Sequence, residues 1–236
     1  LQDGPTSLIS VMRVQNETGW IFPIPEIAQL RDELAPGVPL HCDATQAFCK
    51  MPVDPREWGV QLLTAGAHKI GGPRGIGILY VQRGLPMHTT AFGGNQERGL
   101  RSGTEPVFLA VGMAEAVRIT AAHMETDMEY AASLRERAIE GLKREIPDAV
   151  VHAPEGGSPY ILSVSVPGLP NVVSVKYLSG RRVCVSRASA CEENHTTVAP
   201  GTWRPKHPLA LQAAGIPLRE GKETLRVSFF HRNTPE

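Results

Sequence analysis

The run Ala67-His68-Lys69-Ile70-Gly71-Gly72-Pro73-Arg74-Gly75-Ile76-Gly77 sets a lone lysine between an apolar stretch and a glycine-rich loop. Gln61-Leu62-Leu63-Thr64-Ala65 before it and Ile76-Gly77-Ile78-Leu79-Tyr80-Val81 after it read as two buried strands with little flanking charge. Burial at that junction would favour the neutral, nucleophilic form of the Lys69 amine, which could then hold a carbonyl compound covalently. A loop lysine is more often simply solvated, so the chemical reading needs a second residue.

That residue lies upstream, where Leu40-His41-Cys42-Asp43-Ala44-Thr45-Gln46 ends a short apolar strand with an acid followed by polar groups. A carboxylate after a strand commonly caps the next helix. It is also the group that keeps a pyridine nitrogen protonated, which a pyridine-based electron sink requires. Asp43 is the candidate for that contact, with Lys69 as its chemical counterpart.

Further segments follow in order: Val11-Met12-Arg13-Val14-Gln15-Asn16-Glu17-Thr18-Gly19, Gly93-Gly94-Asn95-Gln96-Glu97-Arg98 through Arg101-Ser102-Gly103-Thr104, Ser189-Ala190-Cys191 and Leu225-Arg226-Val227-Ser228. With these, the chain resembles the cysteine desulfurases of the class V aminotransferase family over essentially its whole length. The resemblance implies a fold-type I α/β architecture and pyridoxal 5′-phosphate as cofactor. It implies that Lys69 carries the cofactor, that Asp43 faces the pyridine nitrogen, and that Asn16 and Gln46 contact the ring-hydroxyl side. It further implies that His68 helps bind the phosphate and that Thr104 reaches the phosphate of a neighbouring subunit, hence a homodimer. Arg226 becomes the clamp for the substrate carboxylate, a task that suits a planar guanidinium. The substrate implied is L-cysteine, the product L-alanine, and the sulfur is carried as a persulfide on Cys191 for an acceptor protein, in iron–sulfur cluster assembly or thio-modification.

Cys191 is the second nucleophile that such a reaction needs. Arg187-Ala188-Ser189-Ala190 before it is small, and the segment from Glu192 to Thr202 is polar and turn-rich, as expected of an exposed loop where a thiol can reach its thiolate. Cys42, Cys49 and Cys184 read as core fillers. No CxxC pair suggests a metal site. The pattern departs from the resemblance in three places. Gly66 stands where a phosphate-binding serine is common, Gln15-Asn16 replaces paired asparagines, and residues 192–208 make a longer loop that includes Trp203-Arg204-Pro205-Lys206-His207-Pro208. Family members also carry a segment ahead of the Asn16 region, so the chain reads as the C-terminal portion of a longer enzyme.

Composition sets bounds on the rest: 236 residues, 42% hydrophobic, 20% charged and a formal net charge of +0. That length buries a sizeable core. Balanced charge leaves no footprint for nucleic acid or an anionic membrane, and no apolar run is long enough to span a bilayer. Four scattered cysteines, one needed as a free thiol, point to a reducing compartment. The expected location is cytoplasmic, with an organellar address left open.

Punctuation divides the chain into a partial large cofactor-binding domain, 1–125, and a small α+β domain, 126–236, that carries Cys191 and Arg226. In the first, Pro25 to Ala35 reads as a helix with Ile27, Leu30 and Leu34 inward, followed by a strand at Pro39 to Cys42, the alternation of a parallel sheet. Glu105 to Ile146 reads as a long helical zone broken near Thr126-Asp127, its first part buried. Short strands are expected at Val150 to His152, Tyr160 to Val166, Arg182 to Ser186 and Thr224 to Phe229. Three functions remain open: a cysteine desulfurase, a selenocysteine lyase or other class V aminotransferase, and a cofactor-free binding or dimerisation module.

Overall fold

The computed structural model describes residues 6–152, 154–187 and 209–235. They form two compact units: Leu1–Arg13 with Phe22–Met124, and Val14–Ile21 with Glu125–Glu236. Cys191 and the segment 192–208 lie outside the described residues.

The first unit is built on a four-stranded sheet of order β1-β2-β3-β4, comprising β1 (Ile9–Met12), β2 (Leu40–Asp43), β3 (Leu62–Gly66) and β4 (Gly77–Val81). β1 and β2 run parallel in register Ile9↔Leu40 to Met12↔Asp43, and β2 and β3 run parallel with Asp43 opposite Thr64. Leu40, Cys42, Leu63 and Ala65 are buried and form its core. β4 returns antiparallel to β3. It is not the buried strand that its apolar residues suggest: among the described residues only β3 pairs with it, and Ile78 and Leu79 are 40% and 51% exposed.

Helix α1 (Ile24–Leu34) connects β1 to β2, with proline in its first turn, where a missing N–H costs nothing. Its inward line is Ile24, Ala28 and Arg31, while Leu30 and Leu34 face solvent, contrary to the sequence expectation. The reason is Arg31, whose buried guanidinium donates to the carbonyls of Val38 and Gly59, to Gln61 Oε1 and to the Asp32 carboxylate. Those bonds satisfy loop backbone at the entries to β2 and β3 and fix which face turns inward. Helix α2 (Val107–Ala122) buries Met113 and Ala116 but leaves Val107, Phe108 and Val111 exposed, against the expectation of a buried first part. The break falls at His123, before helix α3 (Met124–Glu145), rather than at Thr126-Asp127.

In the second unit α3 turns Ala131, Leu134 and Ile139 inward. The sheet is antiparallel, β5 (Val150–Val151), β6 (Ile161–Ser165) and β7 (Thr224–Ser228), with β6 central and buried at every residue. Helices α4 (Asn171–Ser179), α5 (Leu209–Ala213) and α6 (Leu218–Gly221) complete it. The strand expected over Arg182 to Ser186 reduces to one bridge, Ser186↔Arg226. Arg182 sits at φ +63°, which breaks an extended run at its start. Cys184 is accordingly exposed and not a core filler, Cys49 is half-buried, and Cys42 is buried. Among the described residues no single helix is long and apolar enough to cross a membrane.

Candidate active site

β2 and β3 are parallel neighbours, so their carboxyl ends open at the same edge of the first unit's sheet, the position where α/β sheets bind ligands. Asp43 is the last residue of β2. Its Oδ1 accepts the Thr45 backbone N–H at 2.8 Å, which fixes the carboxylate at the turn, and Asp43 Oδ2 has no hydrogen bond among the described residues. Lys69 follows β3 by three residues, at the end of a single 3-10 turn, Ala67–Lys69. Ala67 is fully buried and holds that turn: its N–H donates to the Ile76 carbonyl, and its own carbonyl accepts from Ile70 and Gly72. Lys69 is thereby half-buried, with a rigid root.

His68 explains the glycine at 66. A Cβ on Gly66 would lie 3.0 Å from the His68 Nδ1 and Cε1 atoms and 3.9 Å from the Thr45 methyl group. The imidazole therefore occupies the space that a serine side chain at 66 would need. Gln46 lies in the turn after β2, and its Oε1 accepts from Lys50 Nζ at 3.3 Å. Burial, with the positive charge of Lys69 adding to it, pushes the Lys50 ammonium down to about 8. Lys50 thus joins Gln46 and Lys69 in one polar cluster. The sequence reading passed over it, although its position four residues after Gln46 on a helix-like turn was the available signal. Thr104 is exposed in the loop before α2, and no hydrogen bond among the described residues ties it to this cluster.

The second unit brings together the other two expected residues. Arg226, on β7, donates from Nη1 to the Asn16 carbonyl at 3.0 Å and from Nη2 to Ser186 Oγ at 3.3 Å. Its Nε is buried with no hydrogen bond among the described residues, and burial lowers the guanidinium pKa, opposed by the charge of Glu17. Gln15 shapes the turn that presents Asn16: its Oε1 accepts from the backbone N–H groups of Glu17 and Thr18. Ser186, the residue of the one bridge to Arg226, was not singled out from the sequence, because its part depends on a partner 40 residues away. Among the described residues no group of three or more His, Cys, Asp or Glu side chains could hold a metal ion.

The comparisons with known proteins agree in kind. A cysteine desulfurase from Nostoc sp. is 34% identical over 233 residues, 98% of this chain and 55% of that protein. A mitochondrial cysteine desulfurase of Arabidopsis thaliana is 38% identical over 189 residues, 79% of this chain and 41% of that protein. Among solved structures, a NifS-like protein superposes with a TM-score of 0.84 at 30% identity, covering 97% of this chain and 57% of the other. DndA from Streptomyces lividans superposes with a TM-score of 0.72 at 31% identity, covering 95% and 61%. The fold is the α/β fold of these enzymes, and the chain spans about half the length of the curated relatives it matches. The family profile of aminotransferase class-V matches residues 2–236, and the chain belongs to that family.

Proposed function

We propose that this chain is the lysine- and cysteine-bearing part of a pyridoxal 5′-phosphate-dependent cysteine desulfurase. The observation that carries the reading is the placement of Asp43 and Lys69 at the carboxyl ends of adjacent parallel strands. In this reading the first 125 residues are a partial large cofactor-binding domain, and residues 126–236 are a small domain carrying the cysteine loop.

The residues present fit the cofactor. An amine on a rigid turn suits its aldehyde, and the unbonded Asp43 Oδ2 suits a protonated ring nitrogen. The Gln46 side-chain amide, which can donate, suits the ring hydroxyl, and His68 suits the phosphate. When bound, pyridoxal phosphate supplies an electron sink conjugated to the substrate α-carbon. Asp43 holds the proton on the ring nitrogen. Asn16 orients the substrate from the hydroxyl side, and Arg226 clamps its carboxylate. The Lys69 amine would take the α-proton of L-cysteine and return a proton to carbon. The Cys191 thiolate attacks the substrate sulfur; the new S–S bond forms as the C–S bond breaks, its electron pair going to carbon, which is protonated. L-Cysteine and the Cys191 thiol thus give L-alanine and a Cys191 persulfide, ready for a sulfur-acceptor protein. Thr104 would meet the phosphate of a second subunit, so the working form is a homodimer.

The test is an absorbance titration of the chain with pyridoxal phosphate, then addition of L-cysteine and dithiothreitol, which reduces the Cys191 persulfide to thiol and free sulfide, with alanine and sulfide assayed together. A lysine-bound band that shifts with cysteine and yields both products is expected. Lys69→Ala should lose the band. Cys191→Ala should keep the band and lose sulfide release, and an undiminished release would instead favour lyase or aminotransferase chemistry. No band in the unaltered chain would sink the reading.

A further inference from the structure

Helix α4 is inside out. Its buried residues are polar, Asn171 at 8% and Ser174 at 4% exposure, whereas Val172, Val173 and Tyr177 are 56%, 53% and 58% exposed. Asn171 ties that face to its surroundings, its Nδ2 donating to the carbonyls of Gly221 and Thr224, while Ser174 Oγ bonds back to the Pro170 carbonyl one turn earlier in the same helix. Outward, Val172, Val173, Lys176 and Tyr177 follow the i, i+1, i+4, i+5 spacing of one helical face, and Leu169 stands exposed just before the helix. Apolar residues in that spacing ordinarily mark the face a helix buries.

Charge specifies the occupant. From Gly156 to Cys191 the sequence has 36 residues without an acid, and in them stand Lys176, Arg181, Arg182 and Arg187. The Arg181 guanidinium lies 3.7 Å from the centre of the Tyr177 ring, which fixes an arginine–tyrosine pair beside the valines. Lys176 and Arg182 make no ion pair among the described residues. Glu223 spends its Oε1 on the Gly168 backbone N–H. Exposed arginine and tyrosine around an apolar centre is the composition of a protein interface. Helices that lie on membranes instead use Trp, Phe and Leu over a strongly charged opposite face, and α4 has a buried neutral face.

We propose that the outer face of α4, with Arg181 and Arg182, is a docking surface for an acidic segment of a partner protein. Val183 lies eight residues before Cys191 in the sequence, so under the desulfurase reading, on which this identification rests, the partner is the sulfur acceptor. The surface itself does not depend on that reading.

The probes are a fluorescein-labelled amphipathic peptide with a leucine face and a glutamate face, and its counterpart with lysine for glutamate. Anisotropy is measured without cofactor or L-cysteine. Binding of the acidic peptide alone is expected, weaker as salt rises, and at least tenfold weaker for the double variant Arg181→Glu, Arg182→Glu and for Val173→Asp. Circular dichroism of each variant establishes that it folds, and Tyr177→Phe, which keeps the ring, should bind as the parent does. Equal binding of the two peptides, no binding, or indifference to the α4 variants overturns the proposal. So does sedimentation with phosphatidylserine vesicles in place of peptide binding, or a change of oligomeric state in Val173→Asp, which would make the occupant a second copy. A chain that binds the acidic peptide yet makes no alanine would refute the desulfurase reading and leave the surface standing.

Discussion

Lys50 is a cation held where water is scarce, and the consequence is a pH-dependent stability. An unfolded lysine titrates near 10.4, whereas Lys50 in the folded chain titrates at about 8. Between those values the unfolded chain binds more protons, so this residue makes stability rise with pH across that window. Urea midpoints at pH 7 and pH 9.5 should therefore rise in the parent, and Lys50→Met should flatten the rise while being the more stable protein at pH 7. Gly19 gives a second expectation. It sits at φ +77°, and a Cβ there would lie 3.1 Å from the Ile161 carbonyl oxygen. Gly19→Ala is expected to cost about 1–3 kcal/mol of stability from crowding and left-handed strain, read from urea unfolding. At this scale the placement of Asp43 and Lys69 at strand ends was legible, because local pattern defines those ends. The burial of Arg31 was not. Whether a long cation is buried depends on acceptors such as Gln61, which no local pattern connects to it.

The elements of the second unit are tied by His152. Its Nε2 lies 2.7 Å from Ser165 Oγ on β6 and 3.2 Å from Glu220 on α6, and Ser165 Oγ is 2.7 Å from Thr224 Oγ1 on β7. Burial holds the imidazole below its ordinary value, opposed by Glu220. Below about 6.5 the unfolded chain then binds the extra proton, so stability is lost as pH falls through that region. Denaturant midpoints should drop from pH 7.5 to pH 5.5, and His152→Gln should drop less; an equal drop would remove His152 as the cause. Element types were largely readable from periodicity, but their faces were not. Apolar residues in β4 and in α1 promised burial, yet β4 has one partner among the described residues and α1 turns an arginine inward. Facing is decided by which neighbour is present and by which backbone groups need a donor, and neither is a property of the segment itself.

At the scale of the whole molecule, a helical zone separating two sets of strands was readable in the sequence, and helices α2 and α3 occupy it. The assignment of Val14–Ile21 to the second unit was not, because that segment directly continues a strand of the first. Arg31→Ala tests the first unit as a whole. It strips the carbonyls of Val38 and Gly59 of their buried donor, and a loss of about 2–4 kcal/mol in chemical denaturation is expected. The chain passes from one unit to the other three times, after Arg13, after Ile21 and after Met124. Heredity therefore meets a braid and not two beads. A gene crossover at any codon from 22 to 124 would hand the recombinant an Arg226 from one parent and its Asn16 carbonyl, with the Gly19 that rests on Ile161, from the other. Shuffled descendants of this chain should survive only where those two short, distant stretches are inherited together.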